Sequence, residues 1–347
     1  MRVALLSYPM LFQRLGGLQV QVRETLASLA ELGVAARLFD SNREKLRDFD
    51  VIHVFGAING NHRIVESAKE AGRAVVISPV LHPPFSKRQG RTARFCDALT
   101  GRLTNWEFHT SYRQVRTALE KADAVIALGE AERDVIVEGY GLDPGRIRIV
   151  PNGVARRFFD ADGAAFRRHS GIVGRFALQV ASVSPYKNQL TGIRALAGDD
   201  IQYVMIGGCA REHRRYLDQC LSAGTGKAHY AGAFSADDPL LASAYAATDV
   251  FVLPSQSEVM PLVVLEALAA GTPAVMTRHS SLKLKDAGPC VIEVDPQDMN
   301  AISGAVRGIL EARPTKKSCQ ALVADYSWQT VAGKIKEIYE YLVDRDL

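Results

Sequence analysis

The sequence predicts an α/β protein of two domains, each a parallel sheet flanked by helices. Three observations predict it. The chain has 347 residues, more than one ordinary core organises. Short apolar segments alternate with stretches of helical periodicity almost throughout, the order that strand–helix–strand units produce. The alternation breaks once, at the turn Pro151-Asn152-Gly153-Val154 and the Arg-, Asp- and Gly-rich stretch 156–174, and then starts again. The expected division is an N-terminal domain over 1–155, a linker over 156–174 and a C-terminal domain over 175–330.

Val3-Ala4-Leu5-Leu6 opens the first domain as a strand. A loop ending in Gly16-Gly17 leads into a helix, where Leu18, Val22, Leu26, Leu29 and Leu32 recur at helical spacing. Further strands are expected at 35–39, 51–54, 74–77, 124–128 and 147–150. The second domain opens with a strand at 176–180 and repeats the rhythm at 203–206, 250–253 and 274–276. The last helical stretch, 331–343, carries an apolar stripe of Ile335, Ile338 and Leu342. Two open sheets of this kind bind ligands in a cleft facing the carboxyl ends of their strands.

Composition narrows the class. Hydrophobic residues make up 47% of the chain, as in a soluble globular protein. No apolar run approaches the roughly 20 residues of a membrane span, and the first residues read as a strand, not a signal peptide, so a cytoplasmic protein is expected. Cys96, Cys209, Cys220, Cys290 and Cys319 are scattered and never spaced C-x-x-C, which fits reduced thiols. H-E-x-x-H is absent too, so no metal and no bound cofactor are expected. Net charge is only +4, yet Lys87, Arg88, Arg91, Arg94, Arg102, Arg113 and Arg116 crowd the segment 87–116, with Phe95, Trp106 and Phe108 among them. Such a mixture suits an anionic membrane surface, at the inner face of the membrane, or an acidic lipid-diphosphate acceptor; it also suits a solvated basic face. No nucleic-acid motif accompanies it.

The most informative run is 255–273, Ser-Gln-Ser-Glu-Val-Met-Pro-Leu-Val-Val-Leu-Glu-Ala-Leu-Ala-Ala-Gly-Thr-Pro. It follows the buried strand 250–253. Pro261 suits the first helical position, where a missing N–H costs nothing, and Gly271 closes the helix. The amides of Met260, Leu262 and Val263 then point outward with the positive end of the helix dipole, where phosphate oxygens can sit. Glu258 lies just outside that end. Glu266 stands in the helix and leans back toward it, within reach of hydroxyls behind the phosphates. Taken alone, the run also fits an amphipathic helix whose acids merely favour its N-terminal end.

Glu258 and Glu266 form an E-x7-E element, and the segment resembles the donor-sugar motif of the family 4 (group 1) retaining glycosyltransferases, which have the GT-B fold of two Rossmann-like domains facing a central cleft. Further similarity runs along most of the chain, in order: 50–53 (Asp-Val-Ile-His), 122–127 (Ala-Asp-Ala-Val-Ile-Ala), 151–154 and 246–255. The resemblance implies that Glu258 lies beside the donor hexose and that Glu266 binds the ribose hydroxyls. It implies that the amide of Gly17 faces the donor diphosphate, with Met260, Pro261 and Leu262 lining the donor site, and that the backbone at Ala233 and Phe234 reads the base. Lys187, just before a helix, is a counter-charge for the diphosphate. The family pattern commonly has an arginine five positions before this lysine; here Ser182 stands there, a donor-site residue that either gives the diphosphate a neutral hydrogen bond in place of the cation or leaves donor affinity weak. His82 best matches a family histidine near the donor sugar and acceptor, although no acid follows it. A structural histidine fixing that loop is an equal reading, and His53 and His109 read as packing or surface residues. Ser327-Trp328 and the last helix resemble the one that returns to the first domain, so residues 331–347 are assigned there.

The resemblance therefore implies a retaining hexosyltransferase. Its co-substrate would be a UDP- or GDP-linked sugar bound mainly by the second domain. Its acceptor would be a hydroxyl of a glycan or lipid-linked molecule, in polysaccharide or glycolipid biosynthesis. Glu258, Lys187 and His82 are the catalytic candidates. The alternative is a catalytically weak or inactive homologue acting as a partner subunit. A dinucleotide oxidoreductase is disfavoured, because no G-x-G-x-x-G follows the first strand.

Overall fold

The computed structural model describes residues 1–13, 16–82, 87–103 and 110–345; Trp106, Phe108 and His109 lie outside them. The chain forms two units, Met1–Gly153 with Trp328–Leu347, and Val154–Ser327.

The first unit holds strands β1 (Arg2–Leu6), β2 (Ala35–Leu38), β3 (Val51–Phe55), β4 (Ala74–Ser78), β5 (Ala124–Ala127) and β6 (Ile147–Ile149). All pair parallel in the order β2-β1-β3-β4-β5-β6. β3 and β4 are buried at every residue, which is why they read as unbroken apolar runs. The helix Trp328–Arg345 belongs to this unit and buries Trp328, Val331, Ala332, Ile335, Tyr339 and Leu342. Ile338, expected in the same stripe, is only half-buried. Tyr339 reaches the sheet itself: its hydroxyl lies 2.5 Å from His53 Nδ1, while Nε2 of that ring lies 2.9 Å from Ser78 Oγ. Burial holds the His53 imidazole down to about 3, so the ring is neutral and acts in packing.

The second unit holds β7 (Phe176–Val180), β8 (Gln202–Ile206), β9 (Ala228–Tyr230), β10 (Val250–Leu253), β11 (Ala274–Thr277) and β12 (Val291–Val294). Their order is β12-β11-β10-β7-β8-β9, again all parallel. β9 and β12 lie at the two sheet edges and are only partly buried, so neither shows the continuous apolar run by which the others are legible. The stretch 156–174 is not a bare linker. It forms the helices Arg156–Phe159 and Ala164–Ser170 and sinks Phe158 and Phe166 into the second unit. Their rings lie 5.7 Å from Tyr245 and 6.0 Å from Phe176, edge-on and tilted contacts that a solvated linker lacks.

Candidate functional site

In the second sheet the chain runs from β7 outward to β8 and β9, whereas β10 pairs on the other side of β7. The direction of strand order thus reverses between β7 and β10, the place where open parallel sheets leave room for a ligand at their carboxyl ends. The loops there are tied side to side. Val183 N–H donates to Gly208 O at 2.9 Å, Gly207 N–H to Gly232 O at 2.8 Å, Gln256 N–H to Tyr186 O at 3.0 Å and Glu258 N–H to His279 O at 2.9 Å. Gly207 has φ +147°, and a β-carbon there would collide with the carbonyl of Ala181.

Lys187 follows β7, Glu258 follows β10, and the two meet: Lys187 Nζ lies 2.6 Å from Glu258 Oε1. Glu258 is 7% exposed. Several bonds place the lysine. Ser184 Oγ caps the turn Pro185–Lys187 by accepting from the Lys187 N–H. Asn188 adopts φ 58°, and its amide donates to Pro254 O at 3.0 Å and Pro296 O at 2.7 Å, pinning the turn to the ends of β10 and β12. Gln179 donates to Lys187 O at 2.7 Å while accepting from the buried Tyr203 hydroxyl at 2.6 Å. Tyr186 donates to Ser257 O at 2.9 Å, and its hydroxyl titrates above the usual phenol range because of burial and then the charge of Glu258.

The helix Leu262–Ala269 begins beside this pair. Pro261 is its cap and not its first residue, so the helix begins one residue later than expected, because a ψ of 109° is extended and not helical. The helix therefore opens with Leu262 and Val263, whose N–H groups have no intrahelical acceptor, and Met260 precedes the proline. Gly271 ends the helix at φ +88°; its N–H donates to Leu268 O and that of Thr272 to Ala267 O, both at 2.9 Å. Glu266 is buried one turn in, and its Oε2 accepts from the Tyr245 hydroxyl at 2.7 Å. Burial and then Glu266 hold that phenol protonated. Tyr245 had no signal in the sequence, since it comes from the preceding helix Pro239–Ala247.

Ser182 and Ala233 are exposed at the same sheet edge, after β7 and β9. Phe234 is half-buried, with its ring against those of Phe166 and His169 at centroid distances of 6.5 and 6.1 Å. A cavity of about 510 Å³ lined by Arg175, Asp249 and Arg313 precedes β7, β10 and β11, and so lies at the amino edge of the sheet.

Gly17 and His82 belong to the first unit. Gly17 opens the helix Gly17–Glu31 after β1, behind an extended Gly16. His82 is exposed beyond β4, after Val80, a β-branched residue at φ 53°. Glu132, which sequence reasoning missed, holds this segment. Its carboxyl is completely buried and accepts from Leu81 N–H and Leu128 N–H, both at 2.7 Å. Burial pushes it from 4.5 up to about 7, against the pull of the Leu128, Leu81 and Val80 amides.

The basic stretch resolves into two faces. On the helix Lys87–Leu103, Arg88, Arg91, Phe95, Leu99 and Arg102 fall on one exposed stripe, with Phe95 70% and Leu99 51% exposed. Gly90, Asp97 and Gly101 are buried. The free cationic excess is narrower than the sequence suggested. Arg113 pairs with Asp97 at 3.6 Å, Arg116 with Glu120 at 2.7 Å, and Arg94 donates to Gly139 O at 3.1 Å. Among the described residues no helix is long and apolar enough to cross a membrane, and no group of three or more His, Cys, Asp or Glu is placed to hold a metal ion.

Comparisons with known proteins agree with the fold. A family described as glycosyl transferases group 1 matches residues 173–324, and one described as glycosyltransferase family 4 matches 35–157. A D-inositol 3-phosphate glycosyltransferase of Geodermatophilus obscurus is 31% identical over 63% of this chain and 52% of its own length. A glycogen synthase of Mycobacterium tuberculosis is 28% identical over 69% of this chain and 60% of its own. The match thus spans about half to three fifths of these relatives, 52% and 60%. Among solved structures, sucrose-phosphate synthase from Thermosynechococcus elongatus superposes with a TM-score of 0.80 at 19% identity, covering 99% of this chain and 100% of that one. Anabaena HepE in complex with UDP-glucose superposes at 0.73 and 16% identity, covering 98% of this chain and 100% of its own.

Proposed function

The chain belongs to the family 4, group 1 glycosyltransferases and has the GT-B fold, and from that premise we propose that it moves a hexose-type sugar, with retention, from a nucleotide diphosphate donor to an acceptor hydroxyl. The observation that carries the reading is the Lys187–Glu258 pair at the switch point of the second sheet, 2.6 Å apart beside the open amides of Leu262 and Val263. A diphosphate at those amides brings its anionic oxygens to the positive end of the helix and to Lys187. Glu258 then stands at the hexose. Glu266, oriented by Tyr245, takes the ribose hydroxyls. HepE holding UDP-glucose supports a donor of that kind.

In the reaction the bond between the sugar's anomeric carbon and the diphosphate oxygen breaks, and a bond to the acceptor oxygen forms on the same face. The acceptor's proton passes to the departing diphosphate oxygen. Lys187 and the helix amides stabilise the charge that develops there, and no divalent metal takes part. The acceptor is a glycan or lipid-linked hydroxyl, with the stripe Arg88, Arg91, Phe95, Leu99 and Arg102 serving an anionic membrane surface. His82, exposed beyond β4, is the catalytic candidate of the first unit.

The test is thermal stabilisation by UDP, GDP, ADP and CMP, each with magnesium or with chelator, followed by sugar release from the matching donors. One nucleoside diphosphate should stabilise without metal; at about a hundred times its dissociation constant it adds roughly 2.7 kcal/mol. Glu266→Ala should abolish that shift, because the ribose hydroxyls lose their acceptor. Binding without turnover would indicate an inactive homologue, and no binding by any nucleotide would remove the donor site.

A further inference from the structure

We propose that Arg211 is the second cation of the diphosphate site, an assignment that rests on reading the second unit as a nucleotide-sugar site. The starting point is a shortfall of charge. Lys187 is already 2.6 Å from Glu258, so the pair at the switch point is close to neutral. A nucleoside diphosphate carries negative charge on both phosphoryl groups, and at position 182 the chain offers only an exposed, neutral serine hydroxyl. Helix amides contribute partial charges only.

Arg211 is placed to make up the difference. β7 and β8 pair with Val180 beside Ile206, and the same register continues beyond the strands as the parallel bridge of Val183 with Cys209. The bond from Val183 N–H to Gly208 O, 2.9 Å, closes that extension. Cys209 therefore lies next to Val183, and Arg211 follows it two residues on, at the sheet edge that bears Lys187. Neighbouring strands stand about 4.8 Å apart, a gap that an extended arginine side chain crosses. Arg211 opens the turn Arg211–His213, is exposed, and has no side-chain hydrogen bond or ion pair among the described residues. The adjacent acid, Glu212, is exposed too, and solvent screens it. Arg214 and Arg215 already belong to the helix Arg214–Ala223, which leads away from the edge. A guanidinium also suits the task, because its fork can take two phosphate oxygens at once.

The experiment compares whichever of UDP, GDP or ADP stabilises the wild type most with its own monophosphate, by calorimetry on the full chain. Wild type should bind the diphosphate more tightly. Arg211→Ala should lose about tenfold in diphosphate affinity while monophosphate affinity stays within about twofold, the scale of one charge-assisted contact. Arg211→Lys should keep most of the affinity, and Ser182→Arg added to Arg211→Ala should restore it. Arg211 is exposed, so the unliganded melting temperature should not move. Equal losses for both nucleotides, or no loss for either, overturn the assignment. If no nucleotide binds the wild type, the donor-site reading fails and the assignment falls with it.

Discussion

At the level of single residues, this chain matches its buried carboxylates in three ways. Glu258 is matched by a cation, Glu266 by a phenol, and Glu132 by backbone amides alone. For the last, amides offer dipoles and not a counter-charge, so burial makes ionisation costly. Its carboxyl titrates at about 7 in place of 4.5. A raised carboxyl favours the folded state fully below the unfolded value and loses that advantage as pH rises to the folded one. The stability of wild type relative to Glu132→Gln should therefore fall by roughly 3 kcal/mol between pH 4.5 and pH 7. Urea unfolding of both proteins at several pH values measures it, and a constant difference would mean that Glu132 titrates as a solvated acid. The same residues show how far a sequence can be read. Glu258 and Lys187 stand on either side of strand ends that are visible as apolar runs, so their placement could be anticipated. Tyr245 and Glu132 could not be, because their roles come from partners 21 and 51 positions away, Glu266 and Leu81, that only the fold brings close.

At the level of elements, periodicity served well wherever one face or both faces were buried. It failed where geometry departs from a regular period. The helix Glu130–Asp134 runs on into the π-turn Val135–Tyr140, a widening that leaves no trace in the apolar pattern. That turn presents Gly139 O to Arg94 at 3.1 Å and to the Tyr112 hydroxyl at 3.0 Å, and Gly90 lies so close to it that a β-carbon would meet its backbone. One face of the helix Lys87–Leu103 is thus committed to packing. Its other face, with Phe95 and Leu99 exposed among arginines, carries the proposed membrane contact. Phe95→Glu together with Leu99→Glu should cut cosedimentation with phosphatidylglycerol vesicles by about tenfold or more and leave nucleotide binding intact, with the wild-type interaction weakening as salt rises. Retained binding by this double variant would reduce the stripe to a solvated surface.

For the whole molecule, the decisive fact is that each unit encloses its own core, one around Ile52, Ile77 and Val125, the other around Tyr203, Val252 and Ile302. Separate cores give separable unfolding. Calorimetry should resolve two transitions, and the stabilising nucleoside diphosphate should raise one of them, that of the unit holding Lys187 and Glu258, more than the other; equal shifts would place ligand contacts of similar strength in both. The approximate partition was visible in the turn at 151–154, but the fate of 156–174 was not. Its charged residues suggested solvent, whereas Phe158 and Phe166 decide its place by burial. The first unit is also discontinuous, since the helix Trp328–Arg345 comes from beyond the entire second unit and closes over His53 and Ser78. During synthesis on a ribosome this helix leaves the exit tunnel after residues 154–327. The unit encoded first must therefore wait, with β3 and β4 lacking one covering layer, while the unit encoded second has all its strands in hand. The usual N-to-C order of domain maturation is inverted, and released chains truncated after residue 327 should carry a protease-resistant second unit and a protease-sensitive first one.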